Sequence, residues 1–184
     1  MYMRVVAGER KGIPLKAISG TTTRPTTDKI KESLFNIIGP YFEGGIVLDL
    51  FAGSGGLGIE TLSRGAERAI FIEKDTRAFQ TLKENLKKCR YEDVSETYRT
   101  DANRAIKALL KREIEIDYLF VDPPYEKIKY YDLISELIEG GKLAQDAIIV
   151  CEHASDIELP DEYGPYARVR EEKYGNTNIS IYRM

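Results

Sequence analysis

From Ile46 onward, short apolar runs alternate with longer stretches in which apolar side chains recur every three or four residues. IVLDLF, AIFIE, VSETYR, DYLFVD and AIIVCE (46–51, 69–73, 94–99, 117–122 and 147–152) read as strands. The segments between them read as helices. One runs from a glycine loop to about Arg64, one presents Phe79, Leu82 and Leu86 on a single face, and two more cover Ala102 to Lys111 and Tyr131 to Ile138. This order builds right-handed βαβ units and a parallel sheet covered on both faces. The end differs. ARVREEKYG and NISIYRM predict two strands around a Gly-Asn turn, an antiparallel hairpin at one sheet edge. The expected fold is a doubly wound, three-layer α/β domain.

Ahead of that domain, Arg4 to Val6 and Ile13 to Ala17 flank GERKG and predict a small β-hairpin. SGTTTRPTTD follows, then a helix with Ile30, Leu34, Ile37 and Ile38 on its buried face. Thr27 or Asp28 caps its start and Gly39-Pro40 stops it. The expected division is an extension and loop at 1–25 and a main domain at 26–184.

Composition narrows the chemistry. The 184 residues suffice for one sizeable core, and no apolar run approaches the roughly 20 residues of a membrane span. MYMRVVAGERKG has no apolar signal core, and Cys89 and Cys151 lack metal or disulfide spacing, so a reducing cytoplasm is expected. His153 is the single histidine, which argues against a histidine triad or a multi-histidine metal site. Net charge is −3, but residues 1–31 hold seven basic side chains against Glu9 and Asp28, a local +5 that leaves −8 elsewhere. Arg4, Arg10, Lys11, Lys16, Arg24, Lys29 and Lys31 are therefore a candidate footprint for phosphates, or simply a solvated face.

Two loops carry candidate chemistry. DLFAGSGGLG (49–58) follows the first strand and opens a helix, where open parallel sheets bind ligands. Gly53, Gly55 and Gly58 satisfy GxGxxG, while Glu73 and Asp101 close the next two strands, placed for a ribose and an adenine amino group. A dinucleotide such as NAD and S-adenosylmethionine both suit this set. Asp49 at the loop's mouth, with no lysine or arginine inside the loop, favours the zwitterionic, cationic ligand. The second loop is DPPY (122–125), also after a strand. The Asp122 carboxylate and a Pro123 or Pro124 carbonyl are acceptors for the N–H bonds of an exocyclic amine, and the Tyr125 ring is a stacking surface for its base. Such acceptors turn the nitrogen lone pair toward a methyl donor, so alignment does most of the work.

RPTTDKIKESLFNII, LDLFAGSGGLGIETLSRGA, FIEKD, FVDPPY and YGNTNISIYRM, in this order, resemble the RsmD-type 16S ribosomal RNA guanine-N2 methyltransferases over essentially the whole chain. The resemblance implies a Rossmann-like methyltransferase fold, S-adenosylmethionine as cofactor, and ribosomal RNA or an assembling small subunit as partner, with no membrane and no metal. It implies that Asp49, Gly53 and Gly55 contact the methionine part, Glu73 the ribose and Asp101 the adenine, with Phe51, Ala52, Lys74, Ala102 and Asp122 in the same pocket. Asp122, Pro123, Pro124 and Tyr125 would form the methyl-transfer site. Arg24, Thr26 and Thr27 would close over it, and Arg10 and Lys11 would grip RNA. Three other readings stand beside this one: amino methylation of adenine or cytosine in DNA or another RNA, a nicotinamide-dependent oxidoreductase, and an RNA-binding module without activity. Tyr130 and Tyr131 are expected to cover the sheet and Cys151 to lie in the core, while His153, near the end of the fifth strand, is open to facing the site but is not expected to have a role there.

Overall fold

The computed structural model describes residues 3–18, 27–124 and 127–184. Its elements follow the predicted order. A hairpin of β1 (Met3–Arg4) and β2 (Pro14–Leu15) comes first, then α1 (Asp28–Ile38) and β3 (Ile46–Asp49). The alternation continues through α2 (Gly56–Ser63), β4 (Arg68–Ile72), α3 (Thr76–Lys88), β5 (Ser95–Tyr98), α4 (Ala102–Leu109) and β6 (Ile116–Val121). A 3₁₀ turn at Ile128–Asp132 leads into α5 (Leu133–Glu139), then β7 (Leu143–Ala154), β8 (Glu162–Tyr163), β9 (Tyr166–Tyr174) and β10 (Thr177–Arg183). The main sheet runs β5-β4-β3-β6-β7-β10-β9-β8. Its first five strands are parallel, and β10 joins β7 antiparallel with β9 outside it. The C-terminal hairpin thus lies at one edge, as predicted. The two-residue β8 beyond it carries too little pattern to be seen in the sequence. No described helix is long and apolar enough to cross a membrane.

Strand side chains alternate between the two faces of this sheet, and each face has its own core. Leu48, Ile70, Leu119 and Ile149 pack with Ile106 of α4 and Ile134 of α5. Val47, Phe71, Phe120 and Val150 pack with Leu34 and Phe35 of α1, Ile59 of α2 and Leu82 of α3. Fully burying one such side chain contributes about 1.5–3 kcal/mol. Met3, Val5 and Leu15 of the N-terminal hairpin belong to this second core.

The buried face of α1 is turned from the predicted one. Lys31, Leu34, Phe35 and Ile38 are buried, while Ile30 and Ile37 lie at its flank. The cause is Glu60 of α2, fully buried. Its carboxylate accepts the N–H groups of Val6 and Ala7 (2.9 and 3.0 Å) and pairs with Lys31 (3.5 Å) and Arg64 (2.8 Å). The Lys31 ammonium also donates to the Arg4 carbonyl at 2.7 Å. Burial pushes the Lys31 pKa down, and Glu60 and Asp28 oppose the shift. A lysine read from the sequence as surface charge is therefore a folding element, drawn inward because the acid that needs it cannot reach water.

Candidate active site

The strand register brings four acids to one edge of the sheet. Asp49 ends β3 opposite Phe71 of β4 and Phe120 of β6, and Phe120 lies opposite Val150 of β7. Two residues further along the neighbouring strands come Glu73, Asp122 and Glu152. Alternation gives them the parity of Phe71, Phe120 and Val150, toward α1, α2 and α3. The glycine loop crosses above them into α2. Gly55, at φ +90°, is the N-cap, and a Cβ there would lie 2.6 Å from Leu82 Cδ1. A Cβ on Gly58 would lie 2.3 Å from the Phe71 ring, so a glycine is needed to seat α2 on β4.

Several of the loop's N–H groups are already committed. Glu73 accepts from Gly53 and Asp75, both at 2.8 Å. Asp49 accepts from Phe51 and Gly58, and Ala52 O accepts from Gly55 at 2.8 Å. Asn85 of α3 braces the loop from below. Its amide donates to Ser54 O (2.9 Å) and Lys16 O (3.0 Å), and its oxygen accepts from Lys16 N (2.9 Å).

The electrostatics follow from this crowding. Asp49 is 2% exposed, and burial pushes its carboxyl up to about 7, with Glu73 and Glu152 adding to the shift against the two N–H donors. Asp122 keeps a little surface at the mouth of the cleft, yet loss of hydration, the hydrogen-bonded Glu152 and Asp49 all raise it well above the usual carboxylate range. Asp101 behaves differently. Burial favours its neutral form, but the Asn103 N–H (2.8 Å), the Tyr130 hydroxyl (2.9 Å) and the Lys74 charge together lower its pKa. Such a cluster of carboxyl groups favours a positively charged guest. Its donors are not arranged around one ion: among the described residues no three His, Cys, Asp or Glu groups could hold a metal.

Asp122 and Glu152 share the wall of a narrow slot with Leu34, Leu57, Phe120, Val121, Val150 and Ile179. Its volume is about 10 Å³, room for one water-sized group. Pro123 and Pro124 stand at the mouth, where the Pro124 carbonyl accepts the Lys127 N–H at 3.1 Å and keeps one lone pair. On the far side Phe51 meets the Tyr130 ring edge-on, with centroids 5.1 Å apart, and Tyr130 reaches Asp101. Ala102 is buried behind them as the first residue of α4, and Lys74 is exposed at the rim. Tyr125, Arg24 and Thr26 lie outside the described residues. Thr27 caps α1, its hydroxyl accepting from Ile30 N at 3.3 Å.

Among the described basic residues, several are engaged away from this site. Arg10 sits at the opposite end of the helices, its N–H bonded to the Ser63 hydroxyl where α2 ends. Its guanidinium donates to Cys89 O, at the C-cap of α3 (2.6 Å), and lies over the Tyr91 ring (4.7 Å). It neutralises the negative end of α3, a folding task. Lys11 is exposed in the same turn, Lys16 pairs with Glu84 and Arg4 with Asp28. No local pattern marks these partners, because they come from segments at least 24 residues away. His153 likewise turns from the site. It is buried, with Nε2 2.8 Å from the Ser180 hydroxyl and Nδ1 near Ala154 O and Ile157 O. Tyr131 and Cys151 are buried as expected, whereas Tyr130 stands at the rim. Glu152, Asn85 and Tyr130 were not singled out as site residues. For Glu152 the signal was present: an acid closing an apolar strand, as at Asp49, Glu73 and Asp122.

The chain is similar to known proteins along nearly its whole length. Residues 3–183 match the model of the family described as Conserved hypothetical protein 95. YlbH of Bacillus subtilis, assigned by name to the rRNA methyltransferases, is 51% identical over 98% of both chains. Ribosomal RNA small subunit methyltransferase D of Escherichia coli is 32% identical over 98% of this chain and 89% of its own. The solved structure of yhhF from Escherichia coli, assigned by name to the methyltransferases, superposes with a TM-score of 0.85 at 32% identity, covering 100% of this chain and 98% of that one.

Proposed function

The chain belongs to the RsmD-type family of ribosomal RNA methyltransferases, and from that premise we propose that it methylates small-subunit ribosomal RNA at the exocyclic N2 amino group of a guanine, with S-adenosylmethionine as methyl donor. The observation that carries the choice of ligand is the occupied loop. With the Gly53, Gly58 and Phe51 N–H groups held by Glu73 and Asp49, a pyrophosphate would find carboxylates where it needs donors. A zwitterion with a positive sulfur fits the same surroundings. This disfavours the nicotinamide reading and leaves the DPPY loop with a task.

The donor supplies an electrophilic methyl group; the protein supplies position. Asp49 and Glu73 suit the ammonium and ribose ends, and Asp101 with Lys74 marks the adenine end. Asp122 and a proline carbonyl accept the two N–H bonds of the amine. Holding nucleophile and methyl carbon in line lowers the barrier by several kcal/mol, up to roughly 7–11 in the best cases. A guanine within folded RNA must turn out of its stack to reach this cleft, and Tyr125 is the proposed surface that receives it. Arg24, Thr26 and Thr27 are proposed to close over the bound pair. Lys11 remains a candidate phosphate contact, while Arg10 is already engaged.

The test is to incubate the protein with labelled S-adenosylmethionine and either small-subunit RNA or isolated subunits, then map the modified nucleotide. N2-methylguanine at one position is expected. Label on adenine or cytosine overturns the guanine assignment, and calorimetric binding of NADH in preference to S-adenosylhomocysteine overturns the donor.

A further inference from the structure

Asp122 and Glu152 follow directly after the paired residues Val121 and Cys151 of adjacent parallel strands. Their carboxyl groups line the same narrow slot, side by side on neighbouring strands. Two carboxyl groups held this close in a dry slot favour sharing one proton over carrying two charges, and each raises the other's affinity for it. Among the described residues, the titratable groups facing Asp122 are Glu152 from β7, Asp49 from β3 and the Tyr131 hydroxyl from the 3₁₀ turn, which donates to the Glu152 carbonyl and stays neutral because burial, Asp122 and Glu152 raise its pKa. Glu73 acts on Asp49 from β4, while α1, α2 and β10 contribute Leu34, Leu57 and Ile179 to the slot, which bring no charge.

We propose that Glu152 is the proton partner of Asp122: the pair holds one proton in the free protein, releases it when a cationic sulfonium donor binds, and takes up the proton that the amine loses. This rests on the proposed methyl transfer. The nitrogen lone pair forms the new N–CH₃ bond, and the electrons of the broken C–S bond remain on sulfur as a neutral thioether. One N–H proton passes to Asp122 and is shared with Glu152. The summed charge of pair and sulfur is then unchanged by the reaction: −2 with +1 before, −1 with 0 after. A water-poor site gains from such a step, because no net charge must be created or removed there. Glu152 is thus a positioning residue that acts through Asp122.

The experiment counts protons. S-adenosylmethionine and S-adenosylhomocysteine share the ammonium near Asp49 and differ in the charge on sulfur. Each is titrated into the wild-type protein by calorimetry in buffers of different ionisation enthalpy, at about pH 7.5. The expected result is that S-adenosylmethionine releases up to about one proton more than S-adenosylhomocysteine. In Glu152→Gln that difference collapses while affinity for S-adenosylhomocysteine stays within about threefold. The acid limb of the pH–kcat profile moves to lower pH, and Glu152→Asp restores part of both effects. Equal proton release by the two ligands in the wild type overturns the pair without needing any variant. If both ligands bind and RNA is methylated with no such difference, only the pair falls; if neither binds, the proposed function falls with it.

Discussion

Glu60 and the Asp122–Glu152 pair are carboxyl groups withdrawn from water in one small protein, yet they are treated in opposite ways. Glu60 is met by Lys31, Arg64 and two backbone N–H groups, so its charge is answered inside the fold. Asp122 is met by two other acids. The first arrangement is complete without a ligand. On the proposed reading the second is complete only when a positive guest arrives, at a cost in stability that the fold accepts for it. Burial alone therefore does not separate a structural acid from a functional one; the source of the opposing charge does.

Substitutions can break this contrast at either end. Asp122→Ala removes the proposed amine acceptor and should lower turnover by roughly 10³–10⁴-fold, with affinity for S-adenosylhomocysteine little changed. Turnover within tenfold of wild type removes Asp122 from the reaction. Glu60→Gln leaves Lys31 and Arg64 buried without a counter-charge and should cost about 3–4 kcal/mol in urea unfolding. A loss below about 1 kcal/mol places that network outside the determinants of stability.

Asp49→Asn should do the reverse. A carboxyl whose folded pKa is raised to about 7 destabilises the native state as pH rises from about 4 to 7, and the penalty is constant above that. The amide variant should be more stable than wild type by on the order of 3 kcal/mol at pH 8, the gap closing toward pH 4. It should also bind the donor less well. A gap that does not vary with pH would mean that Asp49 is not the titrating group. The smallest effect belongs to Arg10→Ala, about 1 kcal/mol lost from the end of α3. The salt dependence of RNA binding should be unaltered; a slope shallower by about one unit would return Arg10 to the RNA surface.

Most of the fold was legible because parallel strands and their covering helices impress different periods on the sequence. The glycine loop, DPPY and the strand-end acids were legible for a related reason: a parallel sheet gathers whatever follows its strands at one edge. What could not be read was pairing across the chain. Nothing local marks Lys31 as buried; it is drawn in by an acid 29 positions away. Arg10 looked like a free cation because Cys89 and Tyr91 are distant in sequence. Glu152 visibly ends an apolar strand, but its partner is set by the β6–β7 register, which no single segment contains.

The contacts that hold the N-terminal segment also constrain the order of assembly. Val6 and Ala7 bond to Glu60, Arg10 to Ser63 and Cys89, Lys16 to Asn85, and Glu9 to Tyr91. Residues 5–16 thus lack a complete surface to settle on until the chain as far as residue 91 is in place. Loop closure over such spans is costly before the partners exist, so docking belongs to the late, downhill side of the folding barrier. Val5→Ala should accordingly speed unfolding and leave the folding rate nearly unchanged, a φ-value near zero in stopped-flow kinetics. On this account the β1–β2 hairpin is the piece that closes the fold.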